Sequence, residues 1–245
     1  MSPIAAGQGV DLEYEKYGSG PAVLLVHGLA GDRLTLDPVA SEVAGAGACV
    51  LAYSRRVYAG SSAPEPYLGT TVAEQTADAA ALLQALDAAP AVVAGDGFGA
   101  LIALDLLLRQ SDLVRAAVLA DPPLYALVPE ATRELSEAHE VLRSAVTEGG
   151  PEAGVAAWLA GRADDDTLAR MKTARRAFFA DVAGLATLPV TRRELRGITQ
   201  PVTVLTGPGS SPATAAAADA LAALLPRVTR SHDGDLAGAT AALLA

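Results

Sequence analysis

Gly95-Asp96-Gly97-Phe98-Gly99 lies between the apolar runs 91–94 and 100–104. It has the form of a strand-to-helix elbow, the tight turn that presents a nucleophile for acyl or alkyl transfer. The strained backbone of such a turn needs small residues two before and two after the tip. Gly95 and Gly99 satisfy that rule with Gly97 at the tip, whereas Asp96 as tip would put Phe98 where a small residue is required. Position 97 therefore has no side chain to form a covalent intermediate. What remains is catalysis by preorganised backbone donors and by proton transfer. Asp96 is either a carboxylate facing the substrate or a hydrogen-bonded turn residue. No cluster of His, Cys and carboxylates has ligand spacing, and the glycine-rich turns lack a Walker lysine or a dinucleotide fingerprint. Neither a metal nor any other cofactor is expected.

The elements that must hold this turn read as an α/β chain. Apolar patches alternate with helical patterns, which argues for a mostly parallel sheet wrapped by helices. Residues 10–17 alternate as an edge strand would. Thr70-Thr71-Val72-Ala73-Glu74 has the pattern of a capping box opening a helix to about Ala88. Between Asp121 and Pro201 about 80 residues carry no convincing strand, and helices are expected over 129–148, 151–160 and 164–185. Asp164-Asp165-Asp166 complements the dipole at the start of the last one. The chain has 245 residues, 51% of them hydrophobic, enough for one compact domain. A net charge of -10 provides no basic footprint for nucleic acid or an anionic membrane. No run approaches the roughly 18 to 20 apolar residues of a membrane span. The Met1–Gly7 segment lacks the basic flank and apolar stretch of a secretory signal. A cytoplasmic protein with a small-molecule substrate is expected. The lone Cys49, on a predicted central strand, reads as a core residue.

Nearly the whole chain resembles an α/β-hydrolase-fold protein. Val23-Leu24-Leu25-Val26-His27-Gly28 resembles the strand and His-Gly turn that carry half of that family's oxyanion hole, and Val50–Arg56 followed by Gly60-Ser61-Ser62 resembles the next strand and loop. Ser54 stands where the family usually has Asp, and Val57 and Ala59 replace common glycines. Ala117–Pro123 resembles the strand after the elbow helix, and Pro201–Gly207 the strand that follows, trailed by Pro208-Gly209-Ser210-Ser211 with no carboxylate. The resemblance implies an α/β-hydrolase fold: a mostly parallel central sheet flanked by helices, with core segments 1–123 and 197–245 and a helical lid at 124–196. It also implies an oxyanion hole made by the Phe98 and Leu29 amides, with His27 orienting that loop. Asp121, at its strand end, matches the triad acid of some branches. Gly234-Asp235-Leu236 matches the family's Gly-His-Leu, so Asp235 takes the histidine position, and His232 enters the site only if the loop is displaced. On this reading the chain lacks the Ser and His of the triad. Asp121 and Asp235 then lie close together, where desolvation and repulsion raise one pKa and divide acid from base.

The lid so implied offers substrate contacts. Trp158, Phe178 and Phe179 could line an apolar or aromatic pocket with Tyr125, Gly28, Gly97 and His232, although such aromatics more often simply pack lid helices on the core. Arg175-Arg176 reads as a solvated helix face and His139 as exposed. Three functions fit. The first is a non-hydrolytic enzyme of bacterial secondary metabolism that cyclises, isomerises or forms a C–C bond in a polyketide-like aromatic substrate through an enolate or a Michael or aldol step. The second is a hydrolase that uses a carboxylate-activated water on an ester or epoxide. The third is a catalytically silent binding or scaffold protein.

Overall fold

The computed structural model describes residues 2–29 and 31–244. Strands β1 (Ile4–Ala6), β2 (Asp11–Gly18) and β3 (Ala22–Val26) are followed by α1 (Asp37–Gly45), β4 (Cys49–Tyr53), α2 (Val72–Ala85), β5 (Ala91–Asp96), α3 (Phe98–Arg109) and β6 (Val114–Ala120). Four helices come next, α4 (Pro129–Leu159), α5 (Asp165–Thr173), α6 (Arg175–Gly184) and α7 (Arg192–Arg196), and then β7 (Val202–Leu205), α8 (Pro212–Ala222), β8 (Val228–Ser231) and α9 (Leu236–Ala241). The strands form one sheet in the order β1-β2-β4-β3-β5-β6-β7-β8. The pairs β1–β2 and β2–β4 are antiparallel and the rest parallel.

The central strands are buried on both faces, which is why they read as unbroken apolar runs. Side chains alternate across the sheet: Val23 and Leu25 join Val43 of α1 and Ala237 of α9 on one side, while Leu24 and Val26 join α2, α3 and the helical segment on the other. The expected α/β-hydrolase fold is the fold observed.

Details differ where local context outweighs pattern. Burial alternates only at the start of residues 10–17, and β1 pairs outside β2 along Asp11–Glu13 alone, so the later part of β2 stays at the sheet edge. Cys49 opens β4 and is only half-buried. Thr71 caps α2 by accepting the Glu74 N–H (3.1 Å), yet the Glu74 carboxylate turns to Thr70 and Arg56, so only half of the expected box forms. The helices expected at 129–148 and 151–160 are two arms of α4 broken at Gly150 (φ 80, ψ -176). The one expected at 164–185 is interrupted at Ala174, giving α5, which Asp164 does cap, and α6. The final helix ends at Ala241, and Ala245 lies outside the described residues. Among the described residues no helix is long and apolar enough to cross a membrane.

Candidate active site at the strand ends

Gly97 sits between β5 and α3 with φ 52 and ψ -114, a backbone conformation open to glycine and strained for other residues. Its N–H donates to Ala120 O (2.9 Å), which anchors the turn on the neighbouring strand. The two flanking glycines are sterically required. A β-carbon at Gly95 would stand 2.2 Å from Gly99 O, and one at Gly99 would stand 2.1 Å from Val26 O. At Gly97 only Gly28 Cα, among the described residues, comes near, at 3.9 Å. Replacing Gly97 by Ser should therefore leave a folded protein that loses about 1 to 3 kcal/mol to backbone strain alone. Gly99→Ala should fail to fold, and thermal melts of the two variants check the contrast.

Phe98 opens α3, where a helix offers its N–H no internal acceptor. The Leu29 N–H comes from the turn after β3, and neither amide finds an acceptor among the described residues. Beneath this turn lies an ion pair that the sequence did not announce. The Arg55 guanidinium, fully buried, donates to His27 O (3.1 Å) and Gly28 O (3.0 Å) and forks onto Asp181 of α6 at 2.9 and 2.6 Å. Tyr58 Oη donates to Asp181 (2.7 Å) and reaches Leu29 O (3.2 Å), and the guanidinium stacks 4.8 Å over the Phe98 ring. Burial opposes the Arg55 charge, but Asp181 more than offsets this and raises its pKa. His27 is buried under the same turn. Its Nε2 accepts from the Arg55 N–H (3.0 Å), which leaves Nδ1–H to donate to Gly28 O (2.9 Å). Burial, then the Arg55 charge, hold the ring neutral with a pKa well below the usual range. His27 thus braces the loop and lines neither cavity described below.

The carboxylates pair differently from expectation. Asp96 is in register with Ala120 across β5 and β6, so the next residue, Asp121, stands beside it at the strand ends. Asp96 faces the cleft rather than turning sideways into the protein, and its Oδ2 would stand 3.0 Å from a β-carbon at Gly28, which explains the glycine there. The carboxylate is ringed by protein yet open to cleft water. Burial, then the Asp121 charge, push its pKa up to about 6, against the Gly97 N–H. Asp121 adopts a left-handed φ of 43 and accepts a hydrogen bond from Ser210 Oγ. Burial raises its pKa too, with Ser210 and Arg230 opposing.

Asp235, expected beside Asp121, is exposed instead and caps α9 by accepting the Gly238 N–H (2.8 Å). Gly234 at φ 74 turns the chain against Gly207, so that Asp233 lines the cleft and Asp235 points along the helix. Asp235→Ala should cost about 1 kcal/mol of stability, read by thermal unfolding, with activity unchanged. His232 is exposed, 3.4 Å from Thr206 Oγ1, and is not brought to the cleft.

Two cavities meet over the Asp96–Asp121 pair. One, of about 590 Å³, has a mixed lining in which Thr35, Thr206 and Asp233 stand beside Leu36, Val39 and Leu205. The other, of about 300 Å³, contains Gly97, Phe98 and Leu29 and is covered by Tyr125, Trp158 and Leu185. Gly28 and Arg162 line both. Of the expected substrate contacts, Gly28, Gly97, Tyr125 and Trp158 are brought together. Phe178 is not, being fully buried behind Trp158 in an edge-to-face contact (6.2 Å), and Phe179 lies against Phe178 and Gly154. The Tyr125 hydroxyl is pushed up to about 12 by burial and Glu134, against Arg162. Arg176 pairs with Glu65 at an exposed site. Among the described residues no group of His, Cys, Asp and Glu could hold a metal ion.

The alpha/beta hydrolase fold family model matches residues 21–143, and this chain belongs to that family. Among its relatives, the "Uncharacterized hydrolase YraK" of Bacillus subtilis (strain 168) is 35% identical over 120 residues, 49% of this chain and 44% of that protein. An "Epoxide hydrolase" of Caballeronia sordidicola is 33% identical over 139 residues, 56% of this chain and 40% of that one. The chain thus spans less than half the length of these relatives. Among solved structures, a hydrolase from Pseudomonas aeruginosa PA01 superposes with a TM-score of 0.77 at 20% identity, covering 99% of this chain and 97% of that one. The enol-lactonase from Burkholderia xenovorans LB400 gives 0.73 at 21%, covering 94% and 90%. At such identities these two likenesses speak for the fold alone.

Proposed function

We propose that this chain is a hydrolase that adds water to a carboxylic ester of a small molecule without forming a covalent enzyme intermediate. The observation that carries this reading is the Asp96–Asp121 pair at the floor of the cleft, with Asp96 titrating at about 6 beside a tip residue that has no side chain. At neutral pH Asp96 is mostly ionised and is the general base. It takes a proton from water as the water oxygen bonds to the ester carbonyl carbon. The Phe98 and Leu29 N–H groups, which have no acceptor among the described residues, donate to the oxygen that becomes negative, and each such donor contributes roughly 3 kcal/mol. The C–O bond to the alcohol then breaks, and the proton held by Asp96 passes to the departing alkoxide. Burial, with the Asp121 charge adding to it, keeps the Asp96 pKa near neutrality. Relatives named as hydrolases support this over the non-hydrolytic chemistry expected first.

Single-turnover hydrolysis of aryl and alkyl esters in ¹⁸O-water tests the reading. The released acid should carry the label and the protein mass should stay unchanged throughout. A covalent acyl adduct, or no turnover across the series, would overturn it; turnover of epoxides in place of esters would move the chemistry to ring opening.

A second reading, proton transfer through an enolate without net hydrolysis, is favoured by the bare Gly97 tip, because the same amides and carboxylates serve an enolate oxygen equally well. Exchange of solvent deuterium into a ketone, with no ester cleavage, would select it.

A further inference from the structure

The smaller active-site cavity shares a wall with a third cavity. Pro123, Tyr125 and Leu185 line both. On the inner side are Gly97, Phe98 and Leu29; on the outer side, in about 200 Å³, are Leu101, Leu127, Leu188 and Val190, with Arg192 as the one charged residue. Apart from Tyr125 and Arg192 the outer lining has no hydrogen-bonding side chains, so it suits methylene groups better than a polar ligand. Leu185 is buried just after α6, and Tyr125 is half-buried in the turn that follows the Asp121 strand end.

We propose that Tyr125 and Leu185 are specificity-determining residues. They form the partition that limits the length of a linear acyl chain seated over Gly97, and the outer cavity accepts the chain's tail once the partition is cut back. This rests on the ester reading for the identity of the substrate, but the partition itself can be tested without hydrolysis. Trp158 is the sole tryptophan of the chain and lines the inner cavity, so its fluorescence reports occupancy there.

The experiment is a titration of the whole protein with unreactive N-methyl alkanamides, from acetamide to lauramide, read by Trp158 fluorescence. In the parent, affinity should rise roughly fourfold per methylene while each is buried and then level off when the inner cavity is full. Leu185→Ala should move the levelling point several carbons outward, and Leu185→Val, a milder change that preserves folding, should move it in the same direction. Ala186→Phe, at an exposed position lining only the outer cavity, should leave the parent profile unchanged and return the Leu185→Ala profile to the parental one. A levelling point that ignores both Leu185 variants, or no Trp158 response to the series, overturns the proposal. Shifted amide profiles without any ester turnover would sink the ester reading alone, whereas ester turnover with unshifted profiles would sink the partition alone.

Discussion

Asp96→Asn is expected to lower kcat by about 10²- to 10⁴-fold, the range of a positioned general base, while making the protein more stable at neutral pH. The two effects have one origin. The folded-state pKa of Asp96, about 6, lies above its ordinary value because burial, then Asp121, disfavour the charge. A carboxyl with a raised folded pKa favours folding while it is protonated, and that contribution fades as pH rises from the ordinary carboxylate range through about 6. Above that window the ionised group weighs against the fold. The carboxylate is open to cleft water, so screening limits the effect to about 1 kcal/mol, or roughly 2 to 4 °C in Tm for a chain of this size. Melting of parent and variant at pH 7.5 should show that gain, and at pH 4 it should largely vanish. The parent's kcat/KM should fall tenfold per pH unit below about 6. A variant that keeps full activity would remove Asp96 from the chemistry, and a destabilised one would show that its carboxylate holds the turn together instead.

The second large effect is expected at Arg55. Arg55→Ala should destabilise the protein by about 3 to 5 kcal/mol, a drop in Tm on the order of 10 °C. The change strands the Asp181 carboxylate in a buried position and takes the donors from His27 O and Gly28 O. Because these carbonyls belong to the turn that carries the Leu29 amide, kcat should fall more than KM rises. Arg55→Lys keeps the charge without the planar fork and should recover only part of each loss. The joint replacement Arg55→Met with Asp181→Leu separates the two contributions: stability should return toward the parent, as buried pairs often exchange well for apolar groups, while kcat stays low. Melting curves and steady-state kinetics on the four proteins decide this. An Arg55→Ala variant that melts with the parent would show that the pair contributes nothing to holding the turn.

What the sequence made legible was whatever one short segment determines on its own. The spacing of Gly95, Gly97 and Gly99 identified the elbow because the steric requirement acts within five residues, and β3, β5 and β6 announced themselves as apolar runs. Asp121 at a strand end was likewise local. Asp235 was misplaced because matching it to a motif's histidine passed over a nearer signal, an acidic residue just before the apolar start of α9, which is the composition of a helix cap. β8, Val-Thr-Arg-Ser, escaped notice because it is short, half-exposed and mostly polar. The Arg55–Asp181 pair spans 126 residues and was out of reach. Neither residue sits in a recognisable pattern, and only the packing of α6 against the turn brings them together. The orientation of Asp96 was undecidable for a similar reason, since the tip geometry fixes the direction of residue 97 and leaves its neighbour to the shape of the cleft.

The break in α4 at Gly150 is a matter of handedness rather than of room. Nothing among the described residues lies within 4 Å of where a β-carbon would stand there, yet φ 80 with ψ -176 belongs to a region that L-residues scarcely visit. The only achiral residue in the repertoire therefore joins the two arms of the helix, and the second arm carries Trp158 out over the elbow. The roof of the inner cavity owes its angle to a single centre that has no mirror-image preference, some fifty positions along the chain from the turn it covers.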